Sequence, residues 1–336
     1  MRKFAALIRL VPVALAGLLM GIFGLWGALA LWYRLPGRRT VRAIVAGLWL
    51  LWMIGLLALA WQQGHGWALL LYVLAWLMLL RWWRAIRPSN DRPWIDDVAC
   101  LLRGTLTGHT VTLHNVRNFH WRRDDDYDVR WETRHYDLDR LCSADAIISY
   151  WSGKAIAHAM MSFGFDDGRH LVFSVEIRRQ RGRPYSSIGG FFKQFETILV
   201  AADERDIVRV RTNVRGEDDY LYPLTMSQEA MRALFVSYVE AANALAETPR
   251  FYHTLSSNCT SLVYRMAKRV APGLPLDARL LLTGYLPGYL YDNGVLDRRY
   301  TLAQWQRRAR ITEQARRSGP EEDFSRAIRE GHPPAR

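Results

Sequence analysis

The stretch LSSNCTSLVYRMAKRV, residues 255–270, decides how the rest of the chain is interpreted. Its apolar positions recur at helical spacing, and Ser257 and Asn258 are residue types that favour the N-cap of a helix. The pattern therefore predicts a helix whose first turn contains Cys259. Unpaired N–H groups and the positive end of the helix dipole favour a thiolate there, which makes Cys259 a candidate nucleophile. Spacing alone favours a structural cysteine over a nucleophile.

The basic charge of the chain is concentrated before residue 89. Residues 1–88 hold ten of the 45 Arg and Lys residues and no Asp or Glu, so the remainder has 35 basic against 32 acidic residues. The net charge of +13 therefore falls to +3 outside this segment. A high pI of this origin indicates membrane flanks, and the sequence gives no reason to expect a nucleic-acid partner.

Three apolar runs in residues 1–88 predict a membrane anchor. The spans are about residues 10–33, 43–61 and 66–83, the last with Arg81 and Arg84 extending their charged ends towards the interface. Two spans are the alternative. A cleaved signal peptide followed by a buried hairpin fits less well, because no small-x-small cleavage site follows the first run and tryptophans flank the spans.

Positive charges do not settle the orientation of this anchor. Basic residues near the N-terminus favour a cytoplasmic start, which with three spans places the large domain outside. The arginines after the first and third spans favour the opposite arrangement, and the count of charges slightly prefers a cytoplasmic domain.

The turn-rich stretch 88–93 predicts a boundary, after which strand patterns alternate with helical ones. Strands are predicted at residues 110–121, 146–151, 155–165, 170–178 and 206–212, and an amphipathic helix at 227–247. This order predicts an α+β domain with an antiparallel sheet over residues 89–315. Residues 316–336 are predicted to form a charged, flexible tail.

A thiolate nucleophile needs a base and a group that orients it. His158 lies in an otherwise apolar strand, where a satisfied core histidine is the competing interpretation. On the next strand, alternation places Ser174, Glu176 and Arg178 on one face, so Glu176 is the candidate that holds the imidazole of His158. The competing interpretation of Glu176 is an ion pair with Arg178 or Arg209.

Other candidates have less support. His253 precedes the cysteine by six residues but is expected in a different layer, and His114 and His120 lack a third ligand at a recognisable interval. Three cysteines form neither a disulfide framework nor a metal spacing. The sequence therefore predicts no metal and no cofactor.

Seven segments together resemble the Lnb-type domain family, long catalogued as a domain of unknown function and linked to lipoprotein N-acylation. They are NVRNFHW (115–121), YDLDRL (136–141), ISYWSGKAIAHAMMSFGF (148–165), FSVEIRR (173–179), YSSIGGFFKQFE (185–196), DERDIVRVRTN (203–213) and SNCTSLVYR (257–265). The resemblance extends from about residue 115 to about residue 315.

The resemblance implies a circularly permuted papain-like (NlpC-type) fold in which histidine precedes cysteine. It thereby implies His158 as base and Cys259 as nucleophile, with Glu176 at an acidic position of the family strand. It also implies a periplasmic domain on the bacterial inner membrane, which overrides the charge count. The three-span anchor is less typical of the family than the domain is.

Three functions are compatible with these residues. The first is a membrane-anchored cysteine acyltransferase that moves a fatty acyl group from a membrane lipid to an amine such as a lipoprotein N-terminus. The second is a cysteine amidase or peptidase acting on cell-wall peptides, and the third is a non-catalytic envelope binding module. Buried ion pairs or head-group contacts are the roles open to four further residues, Arg117, Asn118, Arg209 and Arg211.

Overall fold

The computed structural model describes residues 2–62, 66–254, 259–319 and 322–331. The chain divides into two compact units. One comprises Met1–Pro88 with Ser186–Gln194, and the other comprises Ser89–Tyr185 with Phe195–Arg336.

The first unit contains three long apolar helices, α1 (Arg2–Arg34), α2 (Arg39–Trp61) and α3 (Gly66–Ala85). The stretches Ala14–Arg34, Arg39–Ala60 and Gly66–Ala85 are long and apolar enough to cross a membrane. Most of their large apolar side chains are exposed, as expected of helices whose solvent is lipid. The predicted membrane anchor is confirmed, whereas residues 63–65 lie outside the described part of the chain.

A short segment from the middle of the chain, Ser186–Gln194, belongs to this helical unit. The ring of Phe192 stacks on Tyr33 with centroids 5.5 Å apart and meets Trp83 edge-on at 6.3 Å. Lys193 donates from Nζ to the carbonyl of Trp83 at 2.8 Å, and its own carbonyl accepts from Arg34. The helical unit therefore extends beyond the predicted residues 1–88.

The second unit is built on an eight-stranded sheet in the order β1-β2-β9-β8-β7-β6-β10, with β5 also paired to β2 and with β3 and β4 forming a separate hairpin. The strands are β1 Arg103–Thr107, β2 Thr110–Arg117, β3 His120–Arg123, β4 Asp126–Asp128, β5 Trp131–Asp137, β6 Leu141–Ser152, β7 Ile156–Phe165, β8 His170–Arg178, β9 Glu196–Ala202 and β10 Asp218–Pro223. Strand β2 pairs with β9 in parallel, and the other pairs are antiparallel. The predicted α+β class is confirmed, with a mixed sheet.

Helices cover both faces of this sheet. They are α4 Glu204–Arg209, α5 Gln228–Glu247, α6 Cys259–Val270, α7 Leu286–Asp292, α8 Leu302–Arg308, α9 Thr312–Arg317 and α10 Phe324–Ala327. Residues of α5 and α6 pack with Phe163 and Phe173 in the larger core on one face. Residues of α4, α9 and α10 pack with Met160 and Val172 in the smaller core on the other face.

The strand predicted at residues 206–212 is wrong, because this segment forms α4 and a π-helical turn, Val210–Val214. The alternation of β-branched residues with arginine is compatible with either structure. Burial of Asp206 favours the helix: its carboxylate accepts hydrogen bonds from Arg117, from the indole of Trp121 and from the backbone N–H of Phe119. Tertiary contacts therefore outweigh local β propensity here.

The strand predicted at residues 110–121 is shorter in the structure. Asn115 adopts a positive φ of 65°, and the pairing of β2 with β5 shifts register between Leu113 and Val116. The strand ends at Arg117, and His120 begins the separate β3–β4 hairpin.

The C-terminal segment differs from the predicted flexible tail in its described part. Phe324 and Ile328 are buried in the smaller core. Arg329 forms ion pairs with Glu204 and Asp145, both of which are buried. Apolar and ionic contacts thus pack this segment against the domain, although its high content of charged residues predicts a solvent-exposed tail.

Candidate active site

Polar side chains form a row across four neighbouring strands. The Cα partner of His158 on β7 is Ser149 on β6, and the Cα partner of Ser149 on β10 is Asp219. On the other side, the imidazole Nε2 of His158 lies 3.3 Å from a carboxylate oxygen of Glu176 on β8. Along each strand, the residues of the row are an even number of positions from apolar residues of the smaller core, and they therefore point to the same face of the sheet. That face is the one covered by α4. The apolar residues concerned are Ile147, Met160, Val172 and Leu221.

The hydroxyl of Ser174 lies between the imidazole and the carboxylate. It donates to Glu176 at 2.7 Å, and its oxygen lies 2.7 Å from Nε2 of His158. A hydroxyl has one proton to donate, so Ser174 accepts from an Nε2–H of His158. In the neutral ring, Nδ1 then carries the lone pair, which is the tautomer that a general base needs on its reacting side.

Arg211 fixes Glu176 from the opposite direction. Its guanidinium donates to Glu176 at 2.9 Å and to Glu217 at 3.1 Å, and its side chain is only 7 % exposed. Burial alone would raise the pKa of Glu176, but the charges of His158 and Arg211 hold that pKa well below its usual range. Glu176 is therefore an ionised carboxylate beside the imidazole.

The outer end of the row carries two further carboxylates, Glu217 and Asp219. The hydroxyl of Ser149 hydrogen bonds with both Glu217 and Asp219. Burial raises the pKa of Asp219 to about 7, against the opposing effects of Ser149 and Arg211. The two negative charges of Glu176 and Glu217 exceed the single positive charge of Arg211. A positive charge on the imidazole of His158 would make the net charge of these four residues zero.

Cys259 is the first residue of α6. The helix has no acidic residue in its first turn, and Lys268 and Arg269 lie in its last turn, an arrangement that leaves the N-terminal dipole uncompensated by carboxylates. Met266 is buried against the larger core. The predicted helix is thus present, whereas the cysteine side chain and the predicted N-cap residues Ser257 and Asn258 lie outside the described part.

The other two cysteines are poor nucleophiles. Burial raises the pKa of the Cys100 thiol, and only Arg178 opposes this. Burial and three nearby aspartates raise the pKa of Cys142. Among the cysteines, Cys259 therefore stays the candidate by its position on a helix.

His158 and Glu176 are predicted partners, and the structure brings these two side chains together. The predicted pairing of His158 with Cys259 is not seen in the described residues: α6, which begins at Cys259, packs in the larger core on the opposite face of the sheet. The predicted alternatives for Glu176 are wrong, because Arg178 instead donates to the carbonyls of Val98 and Ala99, and Arg209 approaches the carbonyl of Ser318.

Ser174 is the residue of the polar row without a predicted role, although its predicted place on the polar face of its strand, two residues before Glu176, was a signal for one. For Arg211 the predicted buried ion pair is present, with Glu176 and Glu217 as its partners. These partners are not predicted, because the segment of Arg211 is predicted as a strand.

The remaining unassigned residues are structural. Arg117 is buried and forms a two-pronged ion pair with Asp206, with Nε to carboxylate at 2.9 Å. Asn118 donates to Glu132 at 3.0 Å and accepts from Arg205. These contacts tie the strand ends to α4 and lie outside the polar row.

Metal ligation has no support in the described residues, where no group of three or more His, Cys, Asp or Glu side chains could hold an ion. His114 instead hydrogen bonds with the hydroxyl of Thr133, and exposed His120 lies 3.9 Å from Asp128.

Three apolar helices joined to an α+β unit with a polar row on its sheet define a membrane protein with a globular domain. Residues 127–285 match the model of the Lnb N-terminal periplasmic domain. This chain therefore carries an Lnb-type domain, and the predicted resemblance is confirmed. Comparison with curated proteins and with solved structures returned no match.

The matched range contains every residue of the polar row together with Cys259. The family model describes a periplasmic domain, and the chain also has three helices apolar enough to span a membrane. The chain is therefore a membrane protein with a periplasmic domain. The orientation implied by the resemblance is confirmed, and the slight preference of the charge count for a cytoplasmic domain is wrong.

Proposed function

We propose that the chain is a membrane-anchored cysteine acyltransferase of the bacterial envelope, with Cys259 as nucleophile and His158 as base. The observation that carries this proposal is the ionised Glu176, which together with Ser174 fixes the imidazole of His158. We also propose that the domain is a permuted papain-like fold, since the histidine strand precedes the cysteine helix in the chain.

The reaction has two balanced halves. The Cys259 thiolate attacks the carbonyl carbon of a lipid acyl ester, so that a C–S bond forms, the ester C–O bond breaks, and the leaving alkoxide takes the proton of the His158 imidazolium. An amine, such as the N-terminus of a lipoprotein, then attacks the thioester. A C–N bond forms, the C–S bond breaks, and the amine proton passes to His158.

Three residues position and polarise the base. With Nε2 held by Ser174, Nδ1 is the nitrogen that would exchange protons with the nucleophile and with the incoming amine. The proposal therefore requires the Cys259 thiol, at the start of α6, to reach His158 past the ends of the strands, because α6 packs on the opposite face of the sheet. Glu176 stabilises the imidazolium as it forms, and Arg211 keeps Glu176 ionised and in place. Backbone N–H groups at the start of α6 are suited to stabilise the oxyanion of the tetrahedral intermediate.

An anchor suits this chemistry because the donor does not leave the bilayer. Each methylene withdrawn from the membrane costs about 0.8 kcal/mol, so an enzyme acting on acyl chains gains by staying at the membrane. The three apolar helices of this chain meet that requirement.

The test is transfer of an isotope-labelled acyl chain. The full-length protein in lipid nanodiscs is given a phospholipid with a labelled acyl chain and a diacylglyceryl-cysteine peptide with a free amine. We expect the labelled N-acyl peptide with wild type, and none with Cys259→Ser or His158→Ala. Cys142→Ser, which removes a cysteine outside the cluster, serves as the matched control and should retain transfer.

Three other outcomes support the other candidate functions instead. Release of labelled fatty acid without transfer, or cleavage of cell-wall peptides that depends on Cys259, would indicate a hydrolase. Absence of every reaction, with Cys259 inert to a thiol reagent, would indicate a binding module.

A further inference from the structure

A groove between α5 and α6 lies on the sheet face opposite the polar row. It encloses about 460 Å³, within the range of small-ligand sites. Its apolar part is formed by Ala241, Leu245, Leu262 and Met266. Nothing in the proposed chemistry uses this groove.

The rim of the groove is cationic. Arg250, Arg265 and Arg269 line it, and all three are exposed. One acid, Glu240, shares the groove and pairs with Arg269 at 3.3 Å. The side chains of Arg250 and Arg265 have no hydrogen-bond or ion-pair partner among the described residues, so the groove has two uncommitted positive charges.

A buried hydroxyl inside the groove also lacks a partner. Thr197 lines it and is 6 % exposed, and its Oγ1 makes no hydrogen bond with any described residue. This hydroxyl is therefore available to hydrogen bond with a polar group that enters the groove.

We propose that this groove binds an acidic phospholipid. The arginines would hold the phosphate, since guanidinium groups match the geometry of phosphate oxygens. The adjoining apolar surface would accept part of an acyl chain. A soluble inorganic anion would leave that surface unused, so the groove suits a lipid better. The same chain has three helices apolar enough to span a membrane, so phospholipids are present where it resides. The proposal does not depend on the acyltransferase assignment.

Binding can be measured without turnover in the full-length Cys259→Ser protein in a neutral detergent. Isothermal titration with dioctanoyl phosphatidylglycerol, dioctanoyl phosphatidylcholine and inorganic phosphate separates the contributions of charge and chain. We expect the anionic lipid to bind at least about tenfold more tightly than either of the others, the factor expected from one charge-assisted hydrogen bond.

Variants locate the site. Arg250→Gln with Arg265→Gln should weaken binding of the anionic lipid by about 10- to 100-fold and remove its preference over phosphatidylcholine. Ala244→Trp, at an exposed position of α5 in the groove, should weaken binding of both lipids. Arg307→Gln, an exposed arginine of α8, is the matched control and should bind as the parent does.

Two results would overturn the proposal. The first is an unchanged affinity for phosphatidylglycerol in the double arginine variant, which would place any lipid binding elsewhere, for example at the helical unit. The second is binding of inorganic phosphate as tight as that of the lipid, which would make the groove a site for small anions. Neither result bears on acyl transfer, which is measured separately.

Discussion

Replacing Glu176 by glutamine tests whether the polar row activates the nucleophile. The carboxylate oxygen lies 3.3 Å from Nε2 of His158 and 2.9 Å from the guanidinium of Arg211. With an effective dielectric constant of about 20, the Coulomb energy of an imidazolium at 3.3 Å is about 5 kcal/mol, and desolvation of the pair offsets part of it. A net loss of about 1–3 kcal/mol corresponds to a shift of about 1–2 pH units in the ionisation of a thiol coupled to the imidazole.

The glutamine also disturbs the hydrogen-bond chain. Its amide can donate to Ser174, which then turns its proton towards Nε2 of His158 and favours the tautomer with hydrogen on Nδ1. We therefore expect the pH midpoint for alkylation of Cys259 to rise by about 1–2 units in Glu176→Gln. Acyl transfer at pH 7 should fall by at least about tenfold.

The assay is the rate of iodoacetamide labelling against pH, followed by peptide mass spectrometry. Cys142 in the same sample is an internal control, because it lies outside the polar row. Glu217→Gln is the matched variant, since Glu217 shares Arg211 but forms no described contact with His158, and its shift should be smaller. A folded Glu176→Gln protein with the pH profile of wild type would refute the activating role of the carboxylate.

Three further predictions concern neighbouring residues. Burial raises the pKa of Asp219 to about 7 in the folded protein, against 3.8 in the unfolded chain, so its contribution to stability is lost as pH rises from about 4 to 7. Between pH 4 and 8, the free energy of unfolding of wild type should fall by up to about 4 kcal/mol more than that of Asp219→Asn, measured by thermal unfolding. Parallel plots of stability against pH for the two proteins would contradict this. Ser174→Ala should slow alkylation of Cys259 at pH 7 by about 10- to 100-fold with little change in melting temperature, whereas an unchanged rate would show that the hydroxyl does not orient His158. Asp206→Leu should destabilise the protein by about 3–5 kcal/mol because Arg117 is left buried without its carboxylate, and adding Arg117→Met should restore part of this; a double variant no more stable than the single one would contradict the ion-pair account.

The features that sequence reasoning located depend on short-range patterns. The β7–β8 hairpin has alternating apolar residues around a glycine-containing turn, and Ser227 caps α5 by accepting from the N–H of Ala230. These signals lie within a few residues of one another. Alternation alone then places His158 and Glu176 on one face of neighbouring strands.

The missed features depend on contacts between distant residues. Arg211 reaches Glu176 because α4 and the π-helical turn that follows it replace the expected strand, and burial of Asp206 under Arg117 and Trp121 explains that replacement. Phe192 joins the helical unit through aromatic contacts with side chains more than a hundred residues away in the sequence. No local periodicity encodes contacts of this kind.

The central claim is that Cys259 carries an acyl group during turnover, and intact-protein mass spectrometry tests it most directly. Full-length wild type, His158→Ala and Cys259→Ser would be purified from membranes and compared, with Cys142→Ser as the control. The account predicts a fatty-acyl mass on wild type and on Cys142→Ser, no adduct on His158→Ala, and a stable ester on Cys259→Ser. An adduct that persists on His158→Ala, or no adduct on any form with Cys259 inert to a thiol probe, would contradict it.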